Sequence, residues 1–484
     1  MLQRNTCLCT LLLITILATL YATQLYKFDA KSQTSWAATP RYSSANDTID
    51  RSKAFHALNL TYPLRYSCRQ ILARETAGLT RASLTKTDSP LFDQFQIIDS
   101  IQKQSERVEQ CLEPVLLHVP VTVKGPPDAS HLAFGIQTTM ERLEASVSQL
   151  TRWLGNTGAK LFVVVIESET VAAKVDQISA LESRMREVGL DVNILQARKG
   201  DTFPQRYFSL VSTLYNNRTP ATQWVSLIDD DTFFPSMPAL LSMLAKYDTA
   251  EMYYIGSLSE DWWAVSHYGY MGFGGAGLFL SIKLAEAMEP HTKECETNLR
   301  STAGDITLMD CIYTYTDTKL THIPELHQVD MRGELSGFFE SGRRFLSLHH
   351  WKDGSAYGAG YPMELMHKVA DVCGECFLQR WQFGDDMILT NGFSIAVYPK
   401  GHLKDDQEHS IDPNKMEETW SNEMEAMHSL GPTRPKLKPE EKIQYRLIDS
   451  IHVEGGVRQF YWHKGQDGDV DTLLELFWQK ETTD

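Results

Sequence analysis

Three consecutive carboxylates, Asp229, Asp230 and Asp231, stand at the end of the apolar run Trp224-Val225-Ser226-Leu227-Ile228. Adjacent anions repel one another, and desolvating any of them without a partner is costly. A cation relieves both problems. The first and third carboxylates of such a triplet can reach one hard divalent ion, Mg²⁺ or Mn²⁺, which takes oxygen ligands and keeps positions open for substrate phosphates. The competing reading is a surface turn or helix N-cap, where Asp is favoured. Against it stand the apolar residues on both sides of the triplet.

Three further stretches carry chemistry. In Gly269 to Met288, the glycines Gly272, Gly274, Gly275 and Gly277 precede an expected amphipathic helix. Glycines there permit close backbone approach to a ligand and expose amides at a helix N-terminus, although a tight turn is the ordinary alternative. Cys295 and Cys311 bracket Gly304-Asp305, and the apolar spacing that follows predicts a helix with Asp305 in its first turn. An isolated acid in that place reads as an N-cap. His349 and His350 follow a short strand-like run. A lone His is usually a packed core residue, yet imidazole also completes Mn²⁺ sites. Trp262, Trp263, Tyr268, Tyr270 and Trp351 are candidates for stacking on sugar faces, with core or lid packing as the alternative.

These residues need a frame, and the pattern upstream supplies one. His131 to Ile136 reads as a strand, and Thr139 to Leu154 as a helix with Met140, Leu143, Val147, Leu150 and Leu154 on one side. Leu161 to Ile166 is a continuous apolar run, as expected for a parallel strand covered on both faces. Val171 to Val188 and Arg206 to Tyr215 read as helices, Val192 to Leu195 and Trp224 to Ile228 as strands. The alternation predicts an α/β chain with a Rossmann-like parallel sheet, whose ligands sit at the carboxyl ends of the strands. The aspartate triplet occupies such an end. No dinucleotide fingerprint opens the first unit, and no Walker A motif occurs. Beyond Ala250 the pattern is less regular, as in a substrate-binding half. After about Gly401 the chain turns polar, then gives a hairpin-like stretch around Gly455-Gly456.

The 484 residues carry a net charge of −16, from 46 basic and 62 acidic side chains, without a basic tract. That argues against a nucleic-acid partner, whose binding rests on phosphate neutralisation. Cys7 to Tyr26 has no charge, and about 20 apolar residues just span a bilayer. It is expected to be an uncleaved signal-anchor with the bulk of the chain lumenal; a cleaved signal peptide is the alternative. Lys27 to about Ser89 is polar and stem-like, and Asp93 to Leu112 is a possible helix. Sequons at Asn46, Asn59 and Asn217 fit a secretory address. Six cysteines lie beyond the apolar segment, enough for three disulfides in an oxidising lumen, and Cys373-x-x-Cys376 reads as a structural pair. In such a lumen the natural phosphate ligand is a sugar nucleotide.

Taken in order, LIDDD, GFGGAG, GDITLMDC, LHQVDMRGELSGFFE and SLHHW resemble glycosyltransferase family 31. The likeness is to the fringe-like and core 1 β1,3-galactosyltransferase branch, particularly fungal members with a C-x-x-C and an NGFS segment (Asn391 to Ser394 here). It covers roughly Leu132 to Pro399. The resemblance implies a GT-A fold and a type II Golgi membrane protein, with secretion or the endoplasmic reticulum as the alternative. It divides the chain into a cytoplasmic tail (1–6), a signal-anchor (7–26), a stem and N-terminal helical region (27–114), the GT-A domain (115–400) and a C-terminal accessory segment (401–484). It implies inverting transfer of a hexose or N-acetylhexosamine from a UDP-sugar to a glycan or glycoprotein hydroxyl, forming a β1,3 linkage with Mn²⁺, Mg²⁺ being the alternative ion. Asp229 and Asp231 then match the metal-binding ends of the D-x-D, and Asp230 a contact to the donor's ribose or sugar. Gly274, Gly275 and Ala276 match the loop against donor sugar and acceptor, and Asp305 the catalytic base. His349 matches the metal histidine, with His350 or His327 as alternatives. Disulfides Cys295–Cys311, Cys373–Cys376 and Cys68–Cys111 would complete the set. The function from a different class is a catalytically silent lumenal protein binding sugar nucleotide or glycan on the same fold; a metal-dependent phosphoesterase is weaker still.

Overall fold

The computed structural model describes residues 62–99, 111–123, 125–166, 175–352, 360–399, 410–421, 428–466 and 468–481, together with residues 57, 58, 60 and 403. The expected signal-anchor at 7–26, the sequons at Asn46 and Asn59, and most of the stem lie outside the described residues. No helix among the described residues is long and apolar enough to cross a membrane.

Two sheets share one apolar core. Strands β1 (Leu64–Thr76), β2 (Thr85–Lys86), β3 (Gln96–Ile98) and β4 (Leu112–Pro120) come first in the chain. The alternating part follows as β5 (Leu132–Thr138), α1 (Met140–Leu154), β6 (Lys160–Val165), α2 (Val175–Glu187), β7 (Asp191–Gln196), α3 (Phe203–Asn216) and β8 (Trp224–Leu227). Strands β9 (Tyr254–Gly256), β10 (Leu278–Ser281) and β11 (Leu320–His322) complete a seven-stranded sheet in the order β11-β9-β10-β8-β5-β6-β7. Strands β5 to β8 are mutually parallel, and β10 runs antiparallel to both its neighbours. A sheet that starts in its centre and then reverses direction opens a crevice at the carboxyl ends of the first and fourth strands. There β5 and β8 lie side by side, paired from Leu132 and Trp224 to Gly135 and Leu227.

Local sequence explains these elements. Helix α1 begins at Thr139, whose side chain accepts the Arg142 amide at 3.2 Å, and it buries Leu143, Leu150, Trp153 and Leu154. Strand β6 is buried from Leu161 to Val165, as its unbroken apolar run requires. Helix α3 starts where Gln205 Oε1 accepts the Thr202 amide at 2.8 Å, and it buries Tyr207, Phe208, Leu210, Val211 and Leu214. Each such large apolar side chain contributes about 1.5–3 kcal/mol through removal from water. The same packing carries Tyr207 to the floor of the site.

Three sequence expectations are corrected. The glycine loop runs into strand β10, not into a helix; the helix Ile282–Met288 starts only after Ser281, which caps it by accepting the Leu284 amide. The apolar run Leu278-Phe279-Leu280 is therefore strand, filling a central place beside β8. Within Asp93 to Leu112, Gln96–Ile98 is a strand antiparallel to β1, and 100–110 lie outside the described residues. Finally, the segments read as stem and accessory element share a second sheet of ten strands with residues from the expected transferase part. Strand β1 pairs in parallel with Asp471–Lys480, which pairs with Gly456–His463, and that strand forms a hairpin with Ile443–Val453. Ile443–Val453 in turn pairs with Ser394–Val397. Leu64 to Ala73 is thus inside a folded sheet. Gly455 forms the hairpin turn at φ +80°, a conformation that costs glycine nothing. The disulfides Cys68–Cys111, Cys295–Cys311 and Cys373–Cys376 are all formed.

Candidate functional site

A cleft of about 700 Å³ opens above the β5–β8 edge, and Asp229, Asp305, Gln328, Asp330, His349 and His350 are among its lining. Asp229 and Asp231 reach the ring of His349: Nε2 lies 3.2 Å from Asp229 Oδ2 and 3.0 Å from Asp231 Oδ1. The other ring nitrogen, Nδ1, is 3.1 Å from the Gln328 carbonyl oxygen. A carbonyl only accepts, so Nδ1 carries a proton and donates it. In the neutral ring Nε2 is then a bare acceptor facing two carboxylate acceptors. Such a set needs a proton or a cation at its centre, and a hydrogen-bonded histidine with two carboxylates is an established donor set for a divalent metal. Without an ion, burial works against charge on His349, but Asp231 and Asp229 outweigh it and push its pKa well above the ordinary value. Burial opposes ionisation of Asp231 too, and His349 overrides it, holding that carboxyl well below its usual range.

Asp230 goes elsewhere. It does not line the cleft; its two oxygens are forked on the Arg142 guanidinium at 2.6 and 2.7 Å, with the Thr138 hydroxyl donating as well. Asp229 to Thr232 form a turn, closed by the Thr232 amide donating to the Asp229 carbonyl at 3.1 Å, and in it the middle aspartate ties the strand end to α1 while Asp229 and Asp231 reach His349. The sequence reading of Asp230 against a donor's sugar has no support in this geometry.

Asp305 is the second residue of the helix Gly304–Tyr315, on the cleft wall. The helix cap is Ala303, so the plain N-cap reading of Asp305 does not hold. Its Oδ1 accepts the Gly274 amide at 3.0 Å. The Tyr207 hydroxyl approaches the carboxylate without closing a well-aligned hydrogen bond to it. Burial pushes the Asp305 carboxyl up to about 7, and the charges of Asp229 and, less, Asp330 act in the same direction; Tyr207 and the Gly274 amide pull it back. A carboxyl with that pKa exchanges protons near neutrality, as a general base must. The Cys295–Cys311 disulfide joins this helix to Thr292–Thr297.

The loop Gly274-Gly275-Ala276 connects every part. Besides the Asp305 contact, the Thr232 hydroxyl donates to the Gly275 carbonyl at 2.9 Å, and Thr232 Oγ1 accepts the Asp229 amide at 3.0 Å. The Ala276 amide donates to Gln328 Oε1 at 2.8 Å, and the Ser347 hydroxyl donates to the Ala276 carbonyl at 2.6 Å. A Cβ on Gly274 would lie 2.0 Å from the Tyr207 hydroxyl and 2.9 Å from Asp305 Oδ1; one on Gly275 would lie 2.2 Å from His349 Nδ1. Glycine is required at both places by close packing within the protein.

His327 does not join the cluster. It is a core histidine, with Nδ1 2.9 Å from Glu260 Oε1 and its ring against Phe338 and Phe345. Trp351 is likewise buried, whereas Trp263 and Tyr268 line the cleft and Trp262 and Tyr270 are exposed. Sequence reasoning did not single out Gln328, Asp330, Tyr207 or Arg142. The first two lie inside LHQVDMRGE, a stretch quoted for its likeness and not for its chemistry. Tyr207 and Arg142 sit in amphipathic helices, where nothing in the pattern marks them.

Residues 182–336 match the family model described as Fringe-like. That span holds the aspartate triplet, the glycine loop, Asp305 and Asp330, and ends before His349. No curated protein matches the chain in sequence. Solved structures do: the mannosyltransferase PcManGT from Pyrobaculum calidifontis, in complex with GDP-Man and Mn²⁺, is 14% identical over 42% of this chain, with a TM-score of 0.28. This chain spans 59% of that protein's length. Mouse xyloside xylosyltransferase 1, in its apo form, is 12% identical over 48% of this chain and 95% of its own, also with a TM-score of 0.28. Likenesses at this score place neither protein's activity on this chain.

Proposed function

We propose that this chain is an inverting glycosyltransferase of GT-A type, moving a hexose or N-acetylhexosamine from a UDP-sugar to a glycan or glycoprotein hydroxyl and forming a β1,3 linkage. The observation that carries it is the pairing, across one cleft, of the Asp229–Asp231–His349 set with the near-neutral Asp305 carboxyl, joined by Gly274 to Ala276. The Fringe-like match over 182–336 supports the same reading. So does the strand order, with β5, β6, β7 and β8 side by side and the acids at their carboxyl ends.

Asp229, Asp231 and His349 would hold Mn²⁺, which when bound would neutralise charge on a leaving diphosphate. Asp305 takes the proton of the acceptor hydroxyl; the oxygen bonds to the anomeric carbon as the bond to the diphosphate breaks, and UDP leaves with the electron pair. The Gly274 amide holds the carboxylate for that step, with the Tyr207 hydroxyl beside it. Trp263 and Tyr268 offer aromatic faces to a sugar at the cleft mouth. A type II Golgi address with residues 7–26 as anchor belongs to the same reading, supported by three disulfides and an exposed sequon at Asn217.

The test is UDP release from UDP-galactose, UDP-N-acetylglucosamine and UDP-glucose with Mn²⁺, repeated after EDTA. Release that EDTA abolishes, and that Asp305→Asn removes while UDP binding persists, is the expected result. Saturable donor binding without any turnover would overturn catalysis in favour of a binding protein.

A further inference from the structure

His349 and His350 are neighbours in sequence, and side chains of neighbours in extended chain face opposite sides. Here both rings face the same way, with centroids 3.9 Å apart and planes tilted by 40°. The cause is the backbone of His350, at φ +54°. Left-handed geometry is uncommon for any residue but glycine, and it persists where surrounding contacts enforce it. The segment opposite carries a second case. Val329 stands at φ +60°, a true outlier for a β-branched residue.

The residues on either side of Val329 each meet one of the two histidines. The residue before Val329, Gln328, gives its carbonyl to His349 Nδ1 at 3.1 Å. The residue after it, Asp330, gives Oδ1 to His350 Nε2 at 3.1 Å. Each imidazole thus has one nitrogen fixed by the 328–330 segment. Asp330 is itself held, accepting the Ser259 hydroxyl at 2.6 Å. Ligand atoms of Asp231, His349 and His350 all lie within 4.8 Å of one another. A histidine that donates to a carboxylate through one nitrogen and turns the other toward a metal is the usual second-layer arrangement of metal sites.

We propose that His350 is a second imidazole ligand of the divalent-cation centre, positioned by Asp330, and that the pair of imidazoles makes the centre prefer Mn²⁺ or Co²⁺ over Mg²⁺. The proposal rests on the metal reading of the site given above. With Nε2 donating to Asp330, Nδ1 is the nitrogen that would ligate. Magnesium demands oxygen and octahedral geometry, whereas imidazole nitrogen suits transition ions. Strain at both His350 and Val329 is then the means by which two adjacent rings and their two anchors converge on one point.

The experiment is electron spin-echo envelope modulation on the Mn²⁺-loaded protein in a nitrogen-free buffer, with Mn²⁺ and Mg²⁺ affinities measured in parallel. Wild type should show two coupled ¹⁴N nuclei. His350→Asn should show one, with the Mn²⁺-to-Mg²⁺ affinity ratio falling at least tenfold; asparagine is chosen because it tolerates the left-handed backbone. Asp330→Ala should weaken Mn²⁺ about 10–100-fold, the range for loss of such an anchor, and Asp330→Asn should recover part of it because the amide oxygen still accepts from Nε2. A single ¹⁴N coupling in wild type, unchanged in His350→Asn, would overturn the role of His350 and leave the glycosyltransferase reading standing. Absence of any bound Mn²⁺ would overturn both.

Discussion

Asp305 Oδ1 accepts the Gly274 amide at 3.0 Å, and the very next residue of that loop, Gly275, lies against the ring of His349. The proposed base and the proposed metal ligand thus touch adjacent residues of one loop, which packs between them. Displacement of about 1 Å between reacting groups can cost about 10²-fold in rate, so a rigid spacer has an evident use here.

Alanine at the two glycines should separate the two halves of the site. Gly274→Ala drives a methyl group into the Tyr207 hydroxyl and Asp305, and is expected to lower transfer by about 10²-fold with Mn²⁺ affinity little changed. Gly275→Ala strikes the His349 ring and should weaken Mn²⁺ instead. Adding Tyr207→Phe to Gly274→Ala removes the nearest atom and should restore part of the rate. Calorimetric Mn²⁺ titration beside initial rates reads both effects; equal loss of metal affinity in the two variants would contradict the division.

The raised pKa of Asp305 also predicts a stability effect. Its carboxyl moves from 3.8 in a free chain to about 7 in the fold. Between those values the folded state keeps a proton that the unfolded state has lost. Its contribution is therefore destabilising, growing as pH rises from about 4 to about 7 and constant above. Asp305→Asn should raise the melting temperature of the metal-free protein at pH 8, by about 2 °C or more, and change it little at pH 4. Thermal scans at both values check this. A variant that melts lower than wild type at pH 8 would refute it.

How much of this was legible beforehand follows from what each level of structure needs. The elements from His131 to Ile228 were readable because local periodicity fixes them: a capped amphipathic helix, an all-apolar strand, a strand ending in acids. The glycine loop was misjudged as a helix entrance because Leu278-Phe279-Leu280 is apolar on every side, and a short apolar run fits strand or helix equally. Leu64–Thr76 was hidden for another reason. Its partner, Asp471–Lys480, lies some four hundred residues away, and non-local pairing leaves no local trace. In the site, the residues that sequence could name by chemical type, Asp229, Asp231, Asp305 and His349, lie near one another around the glycine loop. The pairing of Asp230 with Arg142 was not legible because it depends on a residue of a helix some ninety positions earlier, and the contacts of Gln328 and Asp330 flank a left-handed valine that no sequence pattern announces.

The dependence of transfer on pH should move with the charges around Asp305. A base must be deprotonated, so the rate rises with pH through its pKa. Burial and Asp229 hold that pKa up, and a cation at Asp229 offsets the second of these. The acid limb of the transfer rate is thus expected below pH 7 in saturating Mn²⁺. In Tyr207→Phe, which loses a group that pulls the pKa down, it should move to higher pH. Rate profiles for the two proteins decide; coincident acid limbs would remove Tyr207 from the account.

Arg142 supports the site from outside the cleft, and its loss should appear as instability before it appears in chemistry. Its guanidinium forks on Asp230, whose side chain is 4% exposed, while Lys352 Nζ stands 3.8 Å from the same carboxylate. Removing one partner of a buried ion pair leaves the other desolvated and uncompensated, at a cost of about 3–5 kcal/mol. The Arg142 side chain is 39% exposed and Lys352 remains, so Arg142→Met is expected at about 2–3 kcal/mol. Asp230→Asn made in the same chain removes the orphaned charge and should return part of that loss, which no account based on packing alone would give. Denaturant titration of the two single variants and the double variant measures the coupling. Additive losses would show that the two side chains contribute independently, and that the middle aspartate of the triplet does not depend on Arg142.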